Sequence, residues 1–315
     1  MNPLMIRPTL LGLTGALIIA VRWFQLRRNL SCWTLAPAVL CVAYVFFRAW
    51  VFGRTSATSS NTFDLYTLYA DLSYDFNPSL WCNRWVERAG LYPLVSVVYE
   101  SLVLAIATTY ALSLGRRGQP VRVVVVMVLA GFAGIEAYRL LPACGPVYLL
   151  GSECFTGELP ATCAMVTAAD LRPVELDQSF PRNAMPSLHV GWALLVCWIC
   201  FAMCRRSRWR WLALAYLILT MLATLAGGEH YLVDLVASFP FSLAIWALCY
   251  PSGWDPQRVL TIAGSCLALI VWIAVIRFFP SLLWCSIVLP WLLSGLLVGG
   301  AIYAFRRLSN STATV

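Results

Sequence analysis

The chain has no lysine, only two histidines among 315 residues, and just 11% charged residues. A soluble domain is about one quarter charged, so an ordinary water-soluble globule is excluded. With histidine so scarce and no CxxC pair beside one, no metal centre and no cofactor are expected. Cys197 and Cys200 fall in an apolar run and read as small packing residues. All 22 basic residues are arginine, and the net charge is +8. They bunch in short connections rather than along one basic face, which argues against nucleic acid as a partner. No internal repeat, low-complexity tract or soluble domain is evident. The first apolar run lacks a small-residue exit and meets Arg22, Arg27 and Arg28, so no cleavable signal peptide is expected.

What the chain has instead is apolar length. It is 61% hydrophobic, and several runs reach the roughly 20 residues needed to span a bilayer. Nine spans are expected, near 8–25, 32–52, 91–114, 120–141, 186–204, 209–227, 230–250, 258–278 and 281–304. The fold class is therefore an all-α, polytopic integral membrane helix bundle, and 1–315 forms one membrane domain. Arginines cluster at Arg27–Arg28, at Arg116, Arg117 and Arg122, at Arg205, Arg206, Arg208 and Arg210, and at Arg306–Arg307. Short loops rich in arginine face the cytoplasm. Residues 53–90, 142–185 and the turn at 227–230 then lie outside, and the setting expected is a bacterial cytoplasmic membrane. Arginine used to the exclusion of lysine points to a GC-rich genome.

Two outer stretches break the apolar pattern. In 53–90, Leu65, Leu68, Tyr69 and Leu72 repeat at helical spacing with Asp64 and Asp71 between them. That reads as an amphipathic helix in the membrane interface, followed by Trp81 and Trp85 as anchors. Such a helix could be a lid, although an interface-hugging loop is the plainer expectation. The 142–185 connection is long enough to be functional. Cys82, Cys144, Cys154 and Cys163 lie in these outer stretches, where disulfides can form. Glu100 stands inside an apolar span, where a structural hydrogen bond is its expected role.

Both histidines fall in short motifs. His189 lies in Pro186-Ser187-Leu188-His189, where a span begins. Proline and serine suit the first turn and cap of a helix, and the helix N-terminus is a ready anion site. Ser187 can add a hydroxyl, and His189 can protonate a leaving oxygen. His230 lies in Gly228-Glu229-His230-Tyr231-Leu-Val-Asp234. Asp234 is one helical turn beyond it and can orient its ring, and Gly227 and Gly228 permit a tight turn. An ionisable pair inside a span marks function by default. One helix runs in from His189 and the next returns to His230, so both reach one membrane face.

Pro-Ser-Leu-His followed by Gly-Glu-His-Tyr-x-x-Asp resembles the second and third signature motifs of the type 2 phosphatidic acid phosphatase superfamily. The variant is similar to the branch of inositol phosphorylceramide synthase and related bacterial lipid phosphotransferases. The resemblance covers about 91–250, with 1–90 and 251–315 as accessory regions. It implies a six-helix core, His230 as nucleophile, Asp234 as its orienter and His189 as acid, then base. Two positions depart from the pattern. Thr224 stands where an arginine often precedes the nucleophile, and Tyr138-Arg139-Leu-Leu-Pro142-Ala-Cys-Gly-Pro146 replaces the usual lysine and Arg-Pro motif. Arg182 and Arg139 are the expected phosphate ligands in their place, with Ser187, Tyr231 and Gly228 beside them. Arg139 could instead pair with Glu136.

The implied activity is a membrane lipid phosphatase or phosphotransferase acting through a phosphohistidine. Its partners are a lipid phosphate within the bilayer and, for transfer, a small alcohol acceptor. A transporter with a His–Asp proton relay and a catalytically dead lipid-binding relative are the non-enzyme alternatives.

Overall fold

The computed structural model describes residues 8–26, 30–43, 46, 53, 61–116, 118–155, 166–204, 207–250 and 253–311. Several expected features fall outside these residues: Arg27, Arg28, Arg117, Arg205, Arg206, Cys163 and most of 44–52. The N-terminal helices are α1 (Pro8–Leu26) and α2 (Ala36–Val42). Two shorter helices follow, α3 (Asp64–Leu72) and α4 (Pro78–Arg88). The central stretch holds α5 (Tyr92–Glu100), α6 (Leu102–Ser113), α7 (Gln119–Ala137) and the short α8 (Pro146–Leu150). Then come α9 (Leu188–Met203), α10 (Ser207–Ala226), α11 (Leu232–Leu248), α12 (Pro256–Phe278) and α13 (Val288–Ser311). Two two-residue strands, β1 (Asn61–Thr62) and β2 (Val174–Glu175), pair antiparallel and tie the two stretches that carry them together.

Among the described residues five helices, α1, α7, α10, α12 and α13, are long and apolar enough to cross a membrane. The pair α5–α6 makes a sixth if its 55° bend is counted within one span. This is an all-α membrane helix bundle. The other three expected spans form shorter apolar helices, Cys32–Val42, Leu188–Met203 and Leu232–Leu248. The two that follow the histidine motifs are short for a physical reason. Both α9 and α11 are buried on nearly every side, as a helix apolar all round should be. At 16 residues α9 is about 24 Å long, less than the roughly 30 Å hydrocarbon core. Each begins inside the bundle, not at its surface.

Polar side chains stitch these central helices together. Ser238 donates to the carbonyls of Ser187 (3.0 Å) and Asp234 (2.9 Å), and Ser242 donates to that of Gly191 (3.2 Å). Pro240 sits inside α11 and cannot donate a ladder hydrogen bond. Burial on all sides holds this helix despite that loss. The α5–α6 break falls at Ser101, whose hydroxyl donates to the Val98 carbonyl at 2.9 Å.

The stretch 61–88 packs against the bundle through α3 and α4. On α3 the buried residues are Asp64, Thr67, Leu68, Tyr69, Ala70 and Asp71, which turns two carboxylates inward beside Leu68 and Tyr69 of the expected stripe. Leu65 and Leu72, counted above with the apolar stripe, are only half-buried. Trp81 and Trp85 on α4 are exposed, as interfacial anchors should be. The Asn83 amide donates to the Ala226 carbonyl at 2.7 Å and so holds the end of α10.

Candidate active site

His230 is 3% exposed and sits just before α11. Its ring Nδ1 lies 3.0 Å from the carbonyl oxygen of Ala184. A carbonyl can only accept, so Nδ1 carries the proton and Nε2 keeps its lone pair. Asp234, one turn along, has Oδ2 3.7 Å from Nδ1. The nearer orienter of the ring is thus a backbone carbonyl, with the carboxylate behind it. Asp234 Oδ2 also accepts from the Tyr231 amide at 2.7 Å. Its buried Oδ1 has no partner among the described residues.

The loop around His230 is held by α3 and α4. Asp71 accepts from the amides of Leu232 (2.8 Å) and Val233 (3.0 Å), capping the first turn of α11. Asp64 accepts from the amides of Cys144 (3.0 Å) and Gly145 (2.9 Å) and from the Tyr231 hydroxyl (2.9 Å). Ser79 donates to the His230 carbonyl at 2.9 Å. Both carboxylates are fully buried. Loss of hydration raises the carboxyl of each, and pushes Asp71 up to about 8, while the amide donors pull the other way. The sequence offered these two aspartates as the polar face of a surface helix. Only their distance in sequence from 144–145 and 232–233 hid what they clamp.

His189 stands in a different setting, in the first turn of α9 and half-buried. Its ring stacks on Tyr99, with centroids 4.1 Å apart and planes 14° from parallel. Ser187 is the N-cap of α9, and its hydroxyl accepts from the Val190 amide at 3.4 Å. Both histidines line one cavity of about 560 Å³, together with Tyr99, Glu100, Tyr138 and Asn183. Glu100 therefore reaches the histidine cavity from the bend between α5 and α6. No arginine is among the described residues lining it.

The expected phosphate ligands are placed as follows. Arg182 is fully buried and its guanidinium donates to the carbonyls of Leu176 (2.9 Å), Asp177 (2.7 Å) and Phe180. It holds the loop that carries Asn183 and Ala184. Arg139 is exposed and pairs with Glu136 at 2.7 Å. Ser187 caps a helix, and Tyr231 donates to Asp64. Gly228 has φ +69°, and a Cβ there would stand 2.6 Å from the Phe155 ring, so close packing requires a glycine. Asn183 carries no charge and completes no motif, which is why the sequence did not single it out.

Residues 66–248, more than half of the chain, match the PAP2 superfamily. The chain belongs to that superfamily. The match to the PAP2 superfamily starts within α3 and ends with α11, leaving α1, α2, α12 and α13 outside it. Comparison with curated proteins and with solved structures gives no match. Members of the superfamily are generally phosphatases or phosphotransferases, and this PAP2 chain is built as a membrane bundle.

Proposed function

We propose that the protein is a membrane lipid-phosphate phosphohydrolase that works through a phosphohistidine at His230. One observation carries this: both histidines border a single cavity, and the Ala184 carbonyl fixes the tautomer that leaves His230 Nε2 nucleophilic. In the first step Nε2 attacks phosphorus in line, the phosphorus–oxygen ester bond breaks, and His189 gives its proton to the departing alcohol. In the second, water passes a proton to His189 and attacks phosphorus. The phosphorus–nitrogen bond breaks, phosphate leaves, and His230 is regenerated. Asn183 supplies an amide donor to the phosphoryl oxygens, and protonated His189 supplies positive charge. Arg182 acts one layer back, by fixing residues 183–184. Asp234 stabilises the charge that His230 acquires.

Transfer uses the same residues. If an alcohol takes the place of water in the second step, the enzyme is a phosphotransferase, as in the inositol phosphorylceramide synthase-like branch. The active face is extracytoplasmic in this reading. Cys154, in the 142–185 connection, is disulfide-bonded, which suits an oxidising compartment. The test is phosphate release from a panel of lipid phosphates in detergent with EDTA, by wild type, His189→Ala and His230→Ala. Release by wild type alone supports hydrolysis. Release by His230→Ala at the wild-type rate defeats the mechanism. Phosphoryl transfer to added inositol or glycerol without phosphate release would assign the transferase.

A further inference from the structure

The cavity does not end at the histidines. It follows α7 from Val123 to Ile135 and reaches Tyr138 at its C-cap, fifteen residue steps or about 22 Å of rise. That is deeper than one bilayer leaflet, half of a roughly 30 Å hydrocarbon core. Its polar groups cluster at the catalytic end, where Glu100 adjoins the Tyr99 that stacks on His189. Further in, the polar atoms are engaged elsewhere. The Tyr110 hydroxyl donates to the Thr34 carbonyl at 2.7 Å, and the Trp192 indole donates to that of Met127 at 3.0 Å. What remains facing the space is apolar: Val103, Ala107, Val123 and Met127, with Ile19 of α1 and Cys41 of α2, and the exposed Leu40, Val128 and Phe132 along its open side. A water or small-alcohol channel would not be walled this way.

The inner end is built by close approach. A Cβ on Gly15 would stand 3.3 Å from the Ala107 Cβ and 3.4 Å from the Cys41 Sγ, and one on Gly12 would collide with the Cys41 carbonyl. Small residues seat α1 directly on α2 and α6. Both α1 and α2 lie outside the segment that matches the superfamily.

We infer that this half-open channel is a sleeve for one long apolar chain of the lipid phosphate, and that α1 and α2 border its inner end and set the chain length. The inference rests on the function proposed above for its phosphate end. The chain lies along this channel, and the phosphate it carries is delivered to His230. The substrate class is a lipid phosphate whose tail reaches past one leaflet's depth of methylenes.

Two experiments test this on the full-length protein. The first compares turnover of monoalkyl phosphates of eight and sixteen carbons. In Ala107→Phe, the ratio of kcat/KM for sixteen over eight carbons should fall roughly tenfold or more, since losing burial of two methylenes is worth about that factor. In Cys41→Ala the preference should move toward longer chains. A ratio unmoved in both variants overturns the sleeve. The second uses a sixteen-carbon alkyl phosphate with a diazirine at its terminal carbon, irradiated with wild type and with His230→Ala. Labelling of peptides from α1 and α2, reduced in Ala107→Phe, is expected. Labelling confined to lipid-facing positions such as Leu260 and Leu267 overturns the inference. Labelling of α1 and α2 without turnover of any lipid phosphate would leave the sleeve standing and remove the phosphoryl-transfer function instead.

Discussion

The two helix starts that carry the histidines are built in opposite ways. At α11, Asp71 takes the amides of Leu232 and Val233, Asp234 takes that of Tyr231, and the His230 ring is pinned by the Ala184 carbonyl. At α9, one serine hydroxyl reaches the Val190 amide at 3.4 Å, and His189 is half-buried against the face of Tyr99. A nucleophile needs one orientation and one tautomer, because misplacement of a reacting atom costs rate steeply. An acid that later serves as base must meet first the leaving alcohol and then the incoming water. In the proposed mechanism, the end that carries the nucleophile is the one held by buried carboxylates and a backbone carbonyl, and the acid's end is the one held by a serine cap and an aromatic face.

The largest test removes the reacting groups themselves. His230→Ala should abolish phosphate release. His189→Ala should lower it by roughly 10²–10⁴, the usual worth of general acid–base help. Equal losses would mean that His189 is as indispensable as the nucleophile, and the contrast between the two ends would fail. Next comes the clamp. Asp71→Ala leaves two buried amides without acceptors, at about 1–3 kcal/mol each. Thermal unfolding in detergent should show that loss, and kcat should fall more than KM rises. A variant with lowered stability but wild-type kcat would make Asp71 a purely structural cap.

That clamp also marks where the sequence stopped being readable. The membrane bundle, both histidine motifs and their place on one face follow from apolar run length and short spacings. The role of α3 does not. Leu65, Leu68, Tyr69 and Leu72 satisfy helical spacing, and so does the row Asp64, Thr67, Leu68 and Asp71 that is buried. Periodicity cannot choose between two rows when the deciding donors come from residues 144–145 and 232–233. The Ser101 break was hidden for a related reason, because 91–114 is apolar on both sides of it. The shortness of α9 and α11 reflects their enclosure by neighbours, which no local pattern records.

A smaller effect is the pH dependence of the clamp. Folded Asp71 holds its proton to about 8, whereas an unfolded aspartate loses it near pH 4. Between those values the folded state binds the extra proton, so stability falls as pH rises through the window, by up to about 1.4 kcal/mol per pH unit. Asp71→Asn should flatten that slope in melting curves recorded from pH 5 to 8. A slope equal to that of wild type would assign it to other groups. At the open end, Ser187→Ala should cost about 0.5 kcal/mol, the low end for an N-cap, because its hydrogen bond is long. A loss as large as that of Asp71→Ala would mean that α9 is held as firmly as α11.

The smallest effect expected is that of Arg139→Gln. Its guanidinium faces solvent and pairs with Glu136 three residues back on α7, an arrangement worth a few tenths of a kcal/mol at most. Stability should hardly move, and raising salt should erase what difference there is. Turnover is the more informative reading. The described lining of the cavity holds no arginine, so in the proposed mechanism positive charge for the phosphate falls to protonated His189. A rise in KM of roughly tenfold in Arg139→Gln, with kcat unchanged, would show that this side chain leaves Glu136 when a lipid phosphate arrives. The open end of the site would then include α7 as well as α9, and the contrast would lie between a fixed nucleophile and a phosphate cradle that assembles around its substrate.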